Sequence, residues 1–210
     1  MSRRVVVWSG LDAWRAELAE VELEADGLRA TGTQIGIEPV PYRADYRLDA
    51  TAAGSVTRSL RVEVSGEGWE RRLRLERAEA GEWTIEVGGD GALDLPAPGG
   101  DPELIAGALD CDLAFSPLTN AMPVRRHRLD RGGTESFLMA WVSLPDLEVT
   151  PSRQHYTYVS TDEAGSSVRY ESESRDFVAD LELDPDGLVR VYPQLGRRVE
   201  AGEGPTATPI

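Results

Sequence analysis

The chain has no lysine: all 22 of its basic residues are arginine. A GC-rich genome produces the same bias, yet each cation is a planar fork suited to carboxylate, phosphate or sulfate. The arginines are outnumbered by 37 acidic residues, for a net charge of −15 and a pI near 4.6. Sequence-independent binding to nucleic acid needs a basic surface, so it is excluded as a leading reading. Docking on anionic membranes is excluded for the same reason.

Cysteine is nearly absent. The single Cys111 rules out an intramolecular disulfide. It alternates with Leu109 and Leu113 and reads as a small core residue rather than a nucleophile. There are two histidines, His127 and His155, and neither lies in a ligand-spaced cluster, so no zinc site is expected. No serine sits in a G-x-S-x-G context, and no glycine-rich phosphate loop leads into a helix. Gly88–Gly91 reads as a hairpin turn. Long apolar runs are missing too. Val5–Trp8 is too short for a signal-peptide core or a membrane span, so the expected location is the cytoplasm. No cofactor is implied.

What is present is short, alternating strands about every ten residues, the pattern of an all-β meander. Val5–Trp8, Glu20–Ala25, Leu28–Gln34, Tyr42–Leu48, Ser55–Val64, Trp69–Arg77 and Trp83–Val87 make the first series. Asp26-Gly27 is a two-residue hairpin signal. Leu11–Leu18 could hold a turn of helix capped by Asp12. Leu109–Phe115, Thr134–Leu144, Leu147–Ser160, Ser166–Ser172, Phe177–Leu183 and Leu188–Tyr192 make the second series. Between them Ser116 and Pro117 open one short helix, which Pro123 should end at Met122. Leu118 and Met122 are expected to be buried. Residues 1–199 read as a single domain, and Glu200–Ile210, rich in Gly, Pro and Thr, as a disordered tail.

Several residues could carry a site. Arg58 shares a side with Val56, Leu60, Val62 and Val64, and Arg71 shares one with Trp69, Leu73 and Leu75. A buried cation must be paired, so each meets either an inward carboxylate or the polar head of a ligand, unless its stem reaches solvent. Trp83, Trp141, Tyr156, Tyr158 and Tyr170 fall on strands; such rings fill cores, or line a pocket that takes a sugar and an acyl chain. Asp110 and Asp112 point the same way. They could do acid–base work, or pair with Arg125, Arg126 or Arg128.

From about Trp8 to Arg198 the chain resembles the bacterial family described as "Putative glycolipid-binding". The sharpest likeness is LDCDLAFSPLTNAMPVRR (Leu109–Arg126), followed by LELDPDGLVRVYPQLGRR (Leu181–Arg198). TGT (Thr31–Thr33), YRADYRLD (Tyr42–Asp49), TRSLRV (Thr57–Val62) and GEWTI (Gly81–Ile85) add to it. The resemblance implies a spiral β-roll, one long antiparallel sheet wound around a single helix. It implies no catalytic residues.

The reading that follows is a non-enzymatic binder of a glycolipid or fatty-acyl small molecule. Its candidate contacts are Arg58, Arg71, Trp83, Trp141, Tyr156, Tyr170 and Arg125, with no metal. One alternative is an enzyme acting on such a ligand through Asp110 and Asp112; another is an acidic interaction or scaffold protein. A homodimer is compatible with each.

Overall fold

The protein is described from a computed structural model covering residues 2–25, 27–51, 56–92 and 94–200. Strand accounts for 60% of it and helix for 7%, so the chain is all-β, as its patterning predicts. The first series of strands is β1 (Ser2–Gly10), β2 (Arg15–Glu24), β3 (Gly27–Gly36), β4 (Tyr42–Ala50), β5 (Ser59–Gly66), β6 (Trp69–Arg77) and β7 (Trp83–Gly91). After a long connection come β8 (Asp110–Leu113), a 3-10 turn over Pro117–Asn120, helix α1 (Ala121–His127) and β9 (Thr134–Val142). The chain ends with β10 (Val149–Asp162), β11 (Gly165–Ser172), β12 (Phe177–Leu183), β13 (Val189–Tyr192) and β14 (Gly196–Arg198).

These strands form one sheet of 14, in the order β7-β6-β5-β4-β3-β2-β1-β14-β13-β12-β11-β10-β9-β8. Two meanders are therefore joined at the seam between β1 and β14, where Trp8 pairs with Arg198 and Gly10 with Gly196. The expectation of a wholly antiparallel sheet is corrected at one place: β8 runs parallel to β9. A parallel pair needs a crossover, and the 3-10 turn with α1 supplies it.

Period-two burial drives the curl. On β4, Tyr42, Ala44, Tyr46, Leu48 and Ala50 are buried while Arg43 and Arg47 are exposed. The buried faces of both meanders close on the helical segment. Leu118, Ala121 and Met122 belong to a core shared with β1–β7. Val124 belongs to a second core with Tyr156, Tyr170, Leu181 and Tyr192 of the other meander. Each fully buried Leu, Val or Met adds about 1.5–3 kcal/mol relative to exposure. Leu118 and Met122 are buried as expected.

Three local expectations are corrected. Leu11–Leu18 does not form a helical turn. Glu17, Ala19, Val21 and Leu23 alternate inward, so the strand begins at Arg15, and Asp12 pairs with Arg15 instead of capping a helix. Gly88–Gly91 is not a hairpin turn; Gly88, Gly89, Asp90 and Gly91 continue β7 against Arg72, Arg71, Glu70 and Trp69. The helix does not stop before Pro123. That proline is the third residue of α1, in the first turn, where the missing N–H has no intrahelical partner. The expected hairpin is present, with Glu24 opposite Gly27. Asp26, Ser55 and residues 201–210 of the proposed tail lie outside the described residues.

Candidate functional site

The β8–β13 half of the sheet sets polar and aromatic side chains side by side. In the parallel register Asp112 lies opposite Trp141. On the neighbouring strands Tyr156 lies opposite Tyr170. These positions surround a cleft of about 250 Å³ at one rim of the roll, lined by Asp112, Asn120, Trp141, Tyr170, Arg175, Phe177 and Tyr192. Three turns complete the rim: Asp12 between β1 and β2, Ala114–Ser116 after β8, and Leu195 between β13 and β14.

The floor of the cleft is a hydrogen-bonded carboxylate. Asp112 accepts from Thr119 Oγ1 at 2.8 Å and from Gln154 Nε2 at 2.7 Å, and Arg175 lies 3.7 Å away. Burial pushes its carboxyl above the usual range, opposed by Arg175 and the two donors. Arg175 donates to the Tyr170 hydroxyl at 2.7 Å and lies over the Trp141 ring, 5.0 Å from its centroid. Burial works against its charge, but Asp112 and Tyr170 outweigh it and its pKa is raised. Asn120 accepts from the Tyr156 hydroxyl at 2.9 Å.

The walls are aromatic. Tyr170, Phe177 and Tyr192 form a triangle with ring centroids 5.7–6.2 Å apart. Tyr156 packs edge-on to Tyr170 at 5.3 Å behind them. Two rim residues hold left-handed backbone without being glycine: Phe115 at φ 63° and Asp176 at φ 47°. Such a conformation in a bulky residue persists only when its surroundings fix it, and strain of this kind gathers at binding sites. Phe115 is held between two bonds, from Gln34 Nε2 to the Ala114 carbonyl and from Ser116 Oγ to Glu17.

Of the residues singled out from sequence, Trp141 and Tyr170 line the cleft and Tyr156 supports it from behind. The others are elsewhere, with identifiable reasons. Arg58 is corrected from an inward to an exposed residue. It precedes β5 and borders a broad depression of about 1010 Å³ among Asp49, Arg61, Glu76 and Glu79. Arg71 is buried, and its guanidinium donates to the backbone carbonyls of Asp146 (2.8 Å), Leu95 and Pro96. Trp83 is a core residue whose Nε1 donates to the Ala108 carbonyl at 3.0 Å. Arg125 is a clamp, donating to Asp186 O at 2.6 Å and Glu24 O at 2.8 Å. It packs over Gly187, at φ 81°, where a Cβ would come within 3.1 Å of the Arg125 Cγ.

Asp110 and Asp112 also part company. Asp110 is fully buried in a two-pronged ion pair with Arg126, at 2.8 and 2.5 Å, and does not line the cleft. Cys111 is fully buried, and burial pushes its thiol up to about 12, so it is inert core as expected. Among the described residues, no group of three or more His, Cys, Asp or Glu could hold a metal ion. No helix among them is long and apolar enough to cross a membrane.

Arg175, Asn120, Phe177 and Tyr192 were not singled out from the sequence. Arg175 stands in ESESRDF, a polar turn with no motif, and reaches Asp112 only through the curl of the sheet. Tyr192 closes β13 with the same alternation as any core tyrosine. Neither carries a local signal.

No functionally curated protein matches the chain. A crystal structure of a DUF1089 family protein from Pseudomonas aeruginosa has a similar fold, with a TM-score of 0.66 and 29% identity, covering 87% of this chain and 92% of that one. The family description "Putative glycolipid-binding" matches residues 5–198, strand β1 through β14. With nearly the whole roll matched, the chain belongs to this family.

Proposed function

We propose that the cleft binds the polar head of a glycolipid or fatty-acyl ligand without turning it over. The observation that carries this reading is the pairing of a buried, hydrogen-bonded Asp112 with an aromatic wall of Trp141, Tyr170, Phe177 and Tyr192. A sugar offers apolar C–H faces and hydroxyl edges at once. Stacked aromatics suit the former, and Asp112, Asn120 and Arg175 suit the latter. At about 250 Å³ the cleft matches a head group rather than a whole lipid.

The hydrocarbon portion lies outside the roll. Leu118 and Met122 are buried in a packed core among the described residues, which supports this placement. Leu11 and Trp14, on either side of Asp12 at the rim, are 50% and 61% exposed and give the chain an apolar lip. Burial there contributes about 0.8 kcal/mol per methylene.

An enzyme using Asp110 and Asp112 together is disfavoured, because Asp110 is turned away into its ion pair with Arg126. Membership of the family supports binding and does not specify the ligand.

The test is native mass spectrometry of freshly purified protein, followed by organic extraction and lipid analysis. A species of defined mass, stoichiometric with the chain and lost in Trp141→Ala, is expected. A clean apo mass, with no binding of added short-chain glycosides, would overturn the proposal.

A further inference from the structure

Next to the cleft, sharing Phe115 and Leu195 with it, lies a second and much smaller cavity. It measures about 10 Å³ and is lined by Trp8, Arg15, Glu17, Gln34, Phe115 and Leu195, among others. Phe115 and Leu195 line both spaces, so they are the partition between them. A volume of this size holds one hydroxyl-sized group.

Glu17 is the unusual member. Its side chain is buried, and Oε1 accepts from both the Tyr46 hydroxyl at 2.5 Å and Ser116 Oγ at 2.7 Å. Oε2 is buried with no hydrogen-bond partner among the described residues. A buried polar atom without a partner keeps the cost of losing its water, and more so if charged. Nearly all such atoms in folded proteins are satisfied, so an exception calls for an explanation. The backbone on either side of Phe115 is pinned by Gln34 and Glu17, while its ring is held by the Arg15 guanidinium, 4.3 Å from the centroid.

We infer that the cleft has an inner compartment in which Glu17 Oε2 binds one hydroxyl of the ligand's head group, with the Phe115 ring as the movable wall. This rests on the cleft being the head-group site. Burial pushes the Glu17 carboxyl up to about 7, so near neutral pH it can give as well as accept a hydrogen bond. A hydroxyl, itself donor and acceptor, complements both forms. A sugar or a glycerol head group could supply it.

The test measures binding of n-octyl β-D-glucoside and of monooctanoylglycerol by calorimetry, to the parent, Glu17→Gln, Phe115→Ala and Asp112→Asn. In parallel, the Glu17 carboxyl ¹³C signal of the parent is followed with each probe. Expected are a shift of that signal on binding and a loss of roughly two- to tenfold in affinity in Glu17→Gln, the weight of one net hydrogen bond. Phe115→Ala should bind faster. The probe that produces the response identifies the head group as sugar or glycerol. If Glu17→Gln does not fold, the carboxyl shift decides. Parent-like affinity in Glu17→Gln with no carboxyl shift, while Asp112→Asn is weakened, overturns the inner compartment and leaves the cleft intact. No binding to the parent, or binding indifferent to both Asp112 and Glu17, overturns both.

Discussion

Arg175 lies over the indole of Trp141, 5.0 Å from the ring centroid, and within 3.7 Å of Asp112. One cation thus links the wall of the cleft to its floor. Trp141→Ala should remove both a stacking surface and the support for Arg175. We expect at least tenfold weaker binding of a short-chain glycoside, with melting little changed because the ring is only partly buried. Calorimetry and a thermal melt together check this; an unaltered affinity would move the site elsewhere.

Asp112 is tied into the fold as well as the site. Asp112→Ala removes an acceptor from the Thr119 hydroxyl and the Gln154 amide, which keep the Ser116 carbonyl (3.1 Å) and the Ser152 hydroxyl (3.3 Å), at about 0.5–1.5 kcal/mol per bond lost. Asp112→Asn keeps an acceptor and should lose less stability while still weakening glycoside binding. Urea unfolding of the two variants separates the contributions. Equal destabilisation would mean that the charge, not the acceptor, matters.

Asp110 and Arg126 form a pair whose members cannot be removed singly. Arg126→Met should destabilise by about 3–5 kcal/mol, because it leaves Asp110 buried without its partner. Arg126→Met combined with Asp110→Leu should recover most of that loss. Unfolding free energies of the two single variants and the double variant decide the matter. Additive losses would show that the pair is not coupled.

Glu17 makes stability depend on pH in an unusual direction. Burial raises its pKa from 4.5 to about 7, against the opposing bonds from Tyr46 and Ser116. Between those values the folded chain holds a proton that the unfolded chain has lost. Stability contributed by the neutral acid is therefore full below about pH 4.5 and falls as pH rises through 7, by about 3 kcal/mol in all. Glu17→Gln should be free of this fall. Relative to the variant, the parent should lose roughly 6–12 °C in Tm between pH 5 and pH 8. Parallel curves for the two proteins would show Glu17 to be ionised throughout.

Met122 lies at the centre of the roll, against β-strands of the first meander. Met122→Asp places an unpaired charge there and should unfold the protein, a loss of more than about 4 kcal/mol. Met122→Leu should fold. Circular dichroism of both variants is enough, and a parent-like melt for the aspartate variant would contradict the packing.

The strands were legible in the sequence because each has one buried and one wet face. Trp69–Arg77 and Phe177–Leu183 match β6 and β12 residue for residue. The helix start at Pro117 was legible from Ser116-Pro117, but its end was not. Pro123 reads as a stop in isolation, whereas a preceding 3-10 turn places it in a first turn, where it is harmless. Part of the cleft was legible: Asp112, Trp141 and Tyr170 stand on strand signals. Arg58 was misplaced because its alternation with Leu60 and Val62 continues past the true start of β5. Arg175, in a turn between β11 and β12, joins Asp112 from 63 positions away through a bend that no local pattern encodes.

The seam between β1 and β14 also governs how the molecule is made. Trp8 leaves the ribosome about 190 residues before its partner Arg198. Until then the Trp8–Gly10 edge of β1 lacks its partner strand, and such an edge is a surface that aggregation exploits. Closing so long a loop is slow as well. The nascent chain should therefore be vulnerable, and dependent on chaperones, in the interval before β14 emerges.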